Sequence, residues 1–225
     1  MIKAVIFDFD GLILDTESPI FQSWQEVYKG YDCELALEEW AANVGTEDNF
    51  DPVAHLEGIL GRSLDASAIR SVRKPREVIL IEVEPVLPGV EAYITEAKRL
   101  GLKLAVASNS SRNWVTNHLN RLGLSHHFDV VRCWDDPDVM QRKPRPGVYL
   151  AALKALDITA QDAIAFEDSP NGIMAATGAG IFTVGVPNAL TRLLGVGDAD
   201  LELESMTHMP FVDLVSIVEG NTSPA

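Results

Sequence analysis

A strand that runs into two acids within the first ten residues constrains this chain more than any other feature. Ala4, Val5, Ile6 and Phe7 form an unbroken apolar run, which reads as a short strand buried on both faces, the kind found in parallel sheets covered by helices. Asp8 and Asp10 follow at once, and Gly11 closes the stretch. Because side chains alternate along a strand, the pattern assigns both carboxylates to one side. Two acids so close repel each other unless a cation or a shared proton relieves them. Alone, Asp8-Phe9-Asp10-Gly11 could equally be a solvated turn, since Asp and Gly are ordinary turn residues. Its meaning depends on what the rest of the chain brings to it.

A chain of 225 residues suits one domain with a large insertion or two small domains, at roughly 100–200 residues per domain. With 47% hydrophobic and 23% charged residues it is too apolar for disorder and can bury a sizeable core. The formal charge of -15 opposes binding to nucleic acid or to anionic membranes, since like charges repel at long range. An anionic substrate would therefore need local positive charge, most economically a divalent metal and a lysine. No apolar run approaches membrane-spanning length and the chain enters a strand directly, so a cytoplasmic protein is expected. Cys33 and Cys133 stand alone and far apart, as reduced structural thiols do.

From Asp15 to about Glu84 the spacing is helical, with helices expected after Pro19 and over 35–44, 52–60 and 65–83, and Trp24, Trp40 and Phe50 read as the core of a small bundle. Pro85-Val86-Leu87-Pro88-Gly89 breaks this rhythm. Helices then alternate with β-rich runs: helices over 90–100, 112–122, 147–156 and 171–179, strands over 103–107, 130–132, 163–166 and 181–184. A weaker strand is expected within 199–203 and a closing helix over 211–218. Such alternation predicts an α/β fold, a Rossmann-like parallel sheet with helices on both faces. The first strand needs that sheet to bury it, so residues 1–15 and 87–225 are expected to form the core and 16–86 a helical insertion, hinged near 15–18 and 84–89.

Ligands of an open parallel sheet sit beyond the carboxyl ends of its strands. There this chain places Asp8 and Asp10, then Ser108-Asn109-Ser110-Ser111, then Glu167-Asp168-Ser169, with Arg142-Lys143-Pro144 before a helix. Each has an ordinary explanation. The serines could cap the next helix, Lys143 could be a loop lysine, and Glu167 and Asp168 could complement a helix dipole. Their coincidence at one edge argues otherwise. The cluster Arg70, Arg73, Lys74 and Arg76 reads first as a solvated helix face paired with Glu77 and Glu82, and second as a docking face for an anion.

Over nearly its whole length the chain resembles the haloacid dehalogenase superfamily, in the branch with a helical cap after the first strand that includes β-phosphoglucomutase-like and phosphoglycolate phosphatase-like proteins. The resemblance rests on Asp8-Phe9-Asp10-Gly11 with Asp15-Thr16-Glu17, on Ser108-Asn109, on Lys143-Pro144 and on Glu167-Asp168-Ser169-Pro170-Asn171-Gly172-Ile173. It implies a monomeric Mg²⁺-dependent phosphatase of a small phosphorylated metabolite. Asp8 would be the nucleophile and Asp10 the general acid and base. Ser108, Asn109 and Lys143 would hold the phosphoryl group. Asp8, Asp10 through its backbone carbonyl, Asp168 and Glu167 would serve the metal. Dehalogenases of this fold lack an acid two residues after the nucleophile, and this chain has one. Arg142, where many relatives have glycine, reads as a surface charge, and Gly147 replaces a common aspartate. In β-phosphoglucomutases a cap arginine grips a second phosphate; the corresponding stretch here is Gly45-Thr46-Glu47, which argues against a mutase. Thr16, Gly45, Thr46 and Glu47 are the expected contributors to substrate choice.

Overall fold

β1 (Ala4–Phe7) is buried along its whole length because it has a parallel neighbour on each side. Phe7 stands opposite Val106 of β2 (Lys103–Ser108) and Phe166 of β4 (Ala163–Glu167). The computed structural model describes residues 1–41, 50–193 and 195–220. It extends the sheet through β3 (Val130–Cys133) beyond β2, and through β5 (Phe182–Gly185) and β6 (Leu201–Glu202) beyond β4. All pairs are parallel, in the order β3-β2-β1-β4-β5-β6. This is the expected α/β, Rossmann-like arrangement, and the direction of winding reverses between β1 and β4, where such folds bind ligands.

The two faces differ in side-chain size. Val5, Phe7, Leu104, Val106, Ile164 and Phe166 pack toward α5 (Val90–Arg99), α6 (Arg112–Arg121) and α9 (Phe211–Val218). Ala4, Ile6, Ala105, Ala107, Ala163 and Ala165 face α7 (Gly147–Leu156) and α8 (Pro170–Gly178). Alanine methyls leave little between strand and helix, so α7 and α8 lie close beneath the strand ends. Phe166 stacks on Phe7 with centroids 5.3 Å apart and meets Tyr93 edge-on at 5.4 Å, which anchors the larger face.

Between β1 and β2 come α1 (Glu17–Lys29), α2 (Leu37–Ala41), α3 (Pro52–Leu60) and α4 (Ala66–Glu82). They share a separate apolar cluster with Trp24, Tyr28, Trp40 and Leu56 at its centre, and Phe50 packs against it. Local signals set the helix ends. Asp51 accepts from the Val53 N–H ahead of Pro52, and Asp65 accepts from the Ala68 N–H. The two connections to the sheet run antiparallel side by side, with Leu14 bridged to Val86 and the Leu87 N–H donating to the Ile13 carbonyl at 2.9 Å.

Just past this junction Gly89 has φ +88°, and a Cβ there would lie 2.6 Å from the Met206 Cβ. Gly101 has a similar φ, +74°, with open space around it. Gly89→Ala is expected to destabilise the protein by about 1–3 kcal/mol, and by more than Gly101→Ala. Urea unfolding of both variants separates the steric clash from the backbone strain they share.

Candidate active site

β1 stops at Phe7, and this corrects the expectation that Asp8 and Asp10 share one side. Gly11, with φ +81°, turns the chain, and Asp10 bridges to Leu14. Strand alternation therefore ends before Asp10. Asp8 keeps the alanine-face direction and meets the Lys143 Nζ at 2.5 Å, whereas Asp10 is held from α6 on the other face. Both line one cleft of about 1300 Å³.

Lys143 is the hub of the site. Its buried ammonium also donates to Glu167 Oε1 at 2.6 Å, and the Tyr149 hydroxyl donates to the same oxygen at 2.5 Å. Asn109 holds the Lys143 peptide at both ends: its side chain accepts from the Lys143 N–H at 2.8 Å and donates to the Lys143 carbonyl at 3.2 Å. Asp168 receives the Asn188 side-chain amide at 2.9 Å, and that amide also reaches the Gly11 carbonyl. Carboxylate oxygens of Asp8, Glu167 and Asp168 all lie within 4.8 Å of one another.

Glycines make this crowding possible. A Cβ at Gly172 would sit 1.8 Å from Glu167 Oε2, and one at Gly11 would sit 2.2 Å from Asp168 Oδ2. At Gly147 a Cβ would lie 2.3 Å from the Gln141 carbonyl oxygen. Glycine there lets the lysine loop fold back against the start of α7.

Burial and the neighbouring Glu167 push the Asp8 carboxyl up to about 8, with Lys143 pulling the other way. Burial, then Asp8 and Glu167, holds Asp168 well above its usual range. Burial alone would lower Lys143, but Asp8 and Glu167 outweigh it and the ammonium is held charged. One ammonium thus faces three carboxylates, and Glu167 Oε2 is buried without a hydrogen-bond partner among the described residues. This set of hard oxygen donors fits a Mg²⁺-like cation.

Asp10 accepts from the Trp114 indole N–H at 2.9 Å and from the Ser108 hydroxyl at 3.3 Å. Ser111 caps α6, so the serine run serves the helix as well as the cleft. From the helical insertion, Thr16, Glu17, Lys74 and Glu77 reach the same cleft. Burial, then Asp10 and Asp15, raises Glu17 to about 7. The basic cluster is only partly a solvated face. Arg73 pairs with Glu77 in a nearly buried contact over the Trp24 ring, while Arg76 pairs with Glu26 and Arg70 with Asp51. Glu82 pairs with Arg121 of the core instead. Arg142 is exposed at the rim, 3.6 Å above the Trp134 ring. Gly45, Thr46 and Glu47 lie outside the described residues. Sequence reasoning missed Trp114, Tyr149 and Asn188, for which no local pattern exists. Glu17 and Lys74 were visible only as parts of a motif and a charge cluster.

Residues 5–186 match the haloacid dehalogenase-like hydrolase family, and the chain belongs to it. It is 44% identical over 209 residues to "Putative phosphatase YhcW" of Bacillus subtilis, covering 93% of this chain and 94% of that protein. CbbY from Rhodobacter sphaeroides, solved in complex with phosphate, is similar with a TM-score of 0.70 and 30% identity over 92% of this chain and 96% of that one. A HAD family hydrolase from Deinococcus radiodurans, with bound phosphate and sodium, gives a TM-score of 0.77 and 26% identity over 100% of this chain and 99% of the other. Within the family the chain is a phosphoric monoester hydrolase.

Carboxyls whose folded values lie above the unfolded ones bind protons on folding, so stability falls as pH rises through that interval. For Asp8 the interval runs from the ordinary 3.8 to about 8. In a chelator the melting temperature is expected to be lower at about pH 8 than at about pH 6, and Asp8→Asn to flatten the dependence. Added Mg²⁺ is expected to raise the melting temperature more at the higher pH, as read by differential scanning fluorimetry.

Proposed function

We propose that the protein is a Mg²⁺-dependent phosphatase of small phosphorylated metabolites, sugar phosphates or similar phosphomonoesters, acting through an aspartyl phosphate on Asp8. The observation that carries this reading is the gathering of Asp8, Lys143, Glu167 and Asp168 at the point where the sheet's winding reverses, with Asp10 and Ser108 in the same cleft.

In this reading an Asp8 oxygen attacks phosphorus in line, the bond to the leaving alcohol breaks, and Asp10 gives that oxygen a proton. Asp10 then takes a proton from water as the water attacks the aspartyl phosphate, releasing inorganic phosphate and restoring Asp8. The Lys143 ammonium, the Ser108 hydroxyl and the Asn109 backbone N–H hold the equatorial oxygens as charge develops on them. Glu167 and Tyr149 keep the ammonium in place. Asp8, Asp168 and the Asp10 carbonyl would hold the metal, with Glu167 beside them. The metal's contribution is to offset the negative charge that would otherwise keep a phosphate away from Asp8.

Residues 16–86 act in this reading as a cap over a core of 1–15 and 87–225, excluding water during transfer. The roof it offers is mostly polar, with Ile20 and Ile81 as its apolar members. Thr16, Glu17 and the Lys74–Glu77 pair line the cleft and suit a hydroxyl-bearing leaving group. A sugar phosphomutase of the β-phosphoglucomutase type is less well supported. It needs a second phosphate grip, and Arg70, Arg73 and Arg76 are engaged by Asp51, Glu77 and Glu26. A binding module that has lost turnover would be free to lose Asp8, Asp10, Lys143 or Asp168, and all four are present.

With p-nitrophenyl phosphate and Mg²⁺ the wild type should release p-nitrophenolate and Asp8→Asn should not. Asp10→Asn should lower kcat by about 10²–10⁴-fold, and a chelator should abolish turnover. Equal release by wild type and Asp8→Asn overturns the mechanism. A panel of phosphorylated metabolites then identifies the substrate.

A further inference from the structure

The Asp10 carboxylate stands on a turn beyond the end of β1, yet both of its oxygens are engaged. Ser108 supplies one hydrogen bond, and Trp114, in the first turn of α6, supplies the shorter one, to Oδ1 at 2.9 Å. An indole N–H can only donate, and a donor aimed at a carboxylate makes a strong, directional contact. The indole is itself held. His118, one turn on, is buried, and its ring meets the Trp114 ring edge-on with centroids 4.2 Å apart. Arg121, on the same helix face, donates from Nε to His118 Nδ1 at 3.3 Å. Its other nitrogens donate to the Glu84 carbonyl at 3.0 Å and the Ile81 carbonyl at 3.4 Å, where the chain leaves α4 for the sheet. One helix face therefore joins Asp10 to the return connection of the helical insertion.

We infer that Trp114 is a positioning residue for Asp10: its N–H fixes the carboxylate that moves the proton in both half-reactions, while His118 and Arg121 fix the indole. The inference rests on the aspartyl-phosphate reading above. It separates the two half-reactions when the leaving group is p-nitrophenolate. In the first, the Asp8 oxygen–phosphorus bond forms and the phosphorus–aryloxide bond breaks. The aryloxide leaves as a stable anion and needs no proton from Asp10. In the second, water bonds to phosphorus, its proton goes to Asp10, and the bond to Asp8 breaks. Only the second half-reaction depends on where Asp10 points.

The test is a single turnover with enzyme in excess over p-nitrophenyl phosphate, following p-nitrophenolate by absorbance and inorganic phosphate by quenched assay. Trp114→Phe removes the donor and keeps an aromatic ring against His118. Its nitrophenolate phase is expected to stay within about twofold of wild type while its phosphate phase slows by about tenfold, equivalent to about 1.4 kcal/mol. β-(3-benzothienyl)alanine at 114 places sulfur where the N–H stands, with almost no change of shape. It should give the same split, and it preserves the test if the phenylalanine variant folds poorly. Equal slowing of both phases would mean a merely structural role and overturn the inference, as would no change in either. Asp8→Asn, run alongside, reads the underlying mechanism separately: nitrophenolate release at the wild-type rate would remove that reading whatever Trp114 does.

Discussion

The Lys143 side chain has almost no contact with solvent, and the rest of the site is arranged around keeping its ammonium charged. An ammonium removed from water is costly unless its partners lie close, and breaking such a buried pair typically costs about 3–5 kcal/mol. Here the partners are Asp8 at 2.5 Å and Glu167 at 2.6 Å, with the Tyr149 hydroxyl on the second carboxylate. A third acid, Asp168, held by the Asn188 amide, lies in the same space and leaves the group negative. That imbalance fits a cation, because a single ammonium cannot offset three carboxylates.

The sheet supplies this crowding through its topology and its small residues. β1 and β4 are adjacent in space although far apart in sequence, and each delivers acids at its carboxyl end. Alanines on one face bring α7 and α8 close, which puts Tyr149 beside Glu167 and lets Gly172 clear the Glu167 carboxylate. A side chain at Gly11, Gly147 or Gly172 would push apart groups that have to touch. The glycines of the site are thus requirements of close approach more than of flexibility.

The helices between β1 and β2 carry an apolar cluster that Leu190 joins from beyond β5, and two adjacent antiparallel connections run to the sheet. Its inner surface is a network of ion pairs in which Glu77 receives both Arg73 and Lys74 while facing the cleft. Arg121 binds carbonyls of the return connection, so the end of α4 is tied to the helix that carries Trp114. That junction and Asp10 are joined by a path of three α6 residues, Arg121, His118 and Trp114.

Much of this was legible along the chain. The apolar run before Asp8, the alternation after Gly89, and caps such as Asp51 before Pro52 are local, because strand burial and helix termination depend on neighbouring residues. The helix 147–156 and the helix 211–218 were read to the residue for that reason. That Asp8, Ser108, Glu167 and Asp168 would gather at one edge was legible because strand ends in an open sheet converge, while Lys143 was marked by its place before a helix. What the chain could not show is which groups meet once they converge. Trp114 and Asp10 are 104 positions apart, and Asn188 and Gly11 are 177 apart. Contacts at such separations leave no periodic trace, since they depend on how helices dock on the sheet. The side of the strand on which Asp10 lies was likewise decided only by folding, because the turn at Gly11 ends the alternation that a linear reading has to assume.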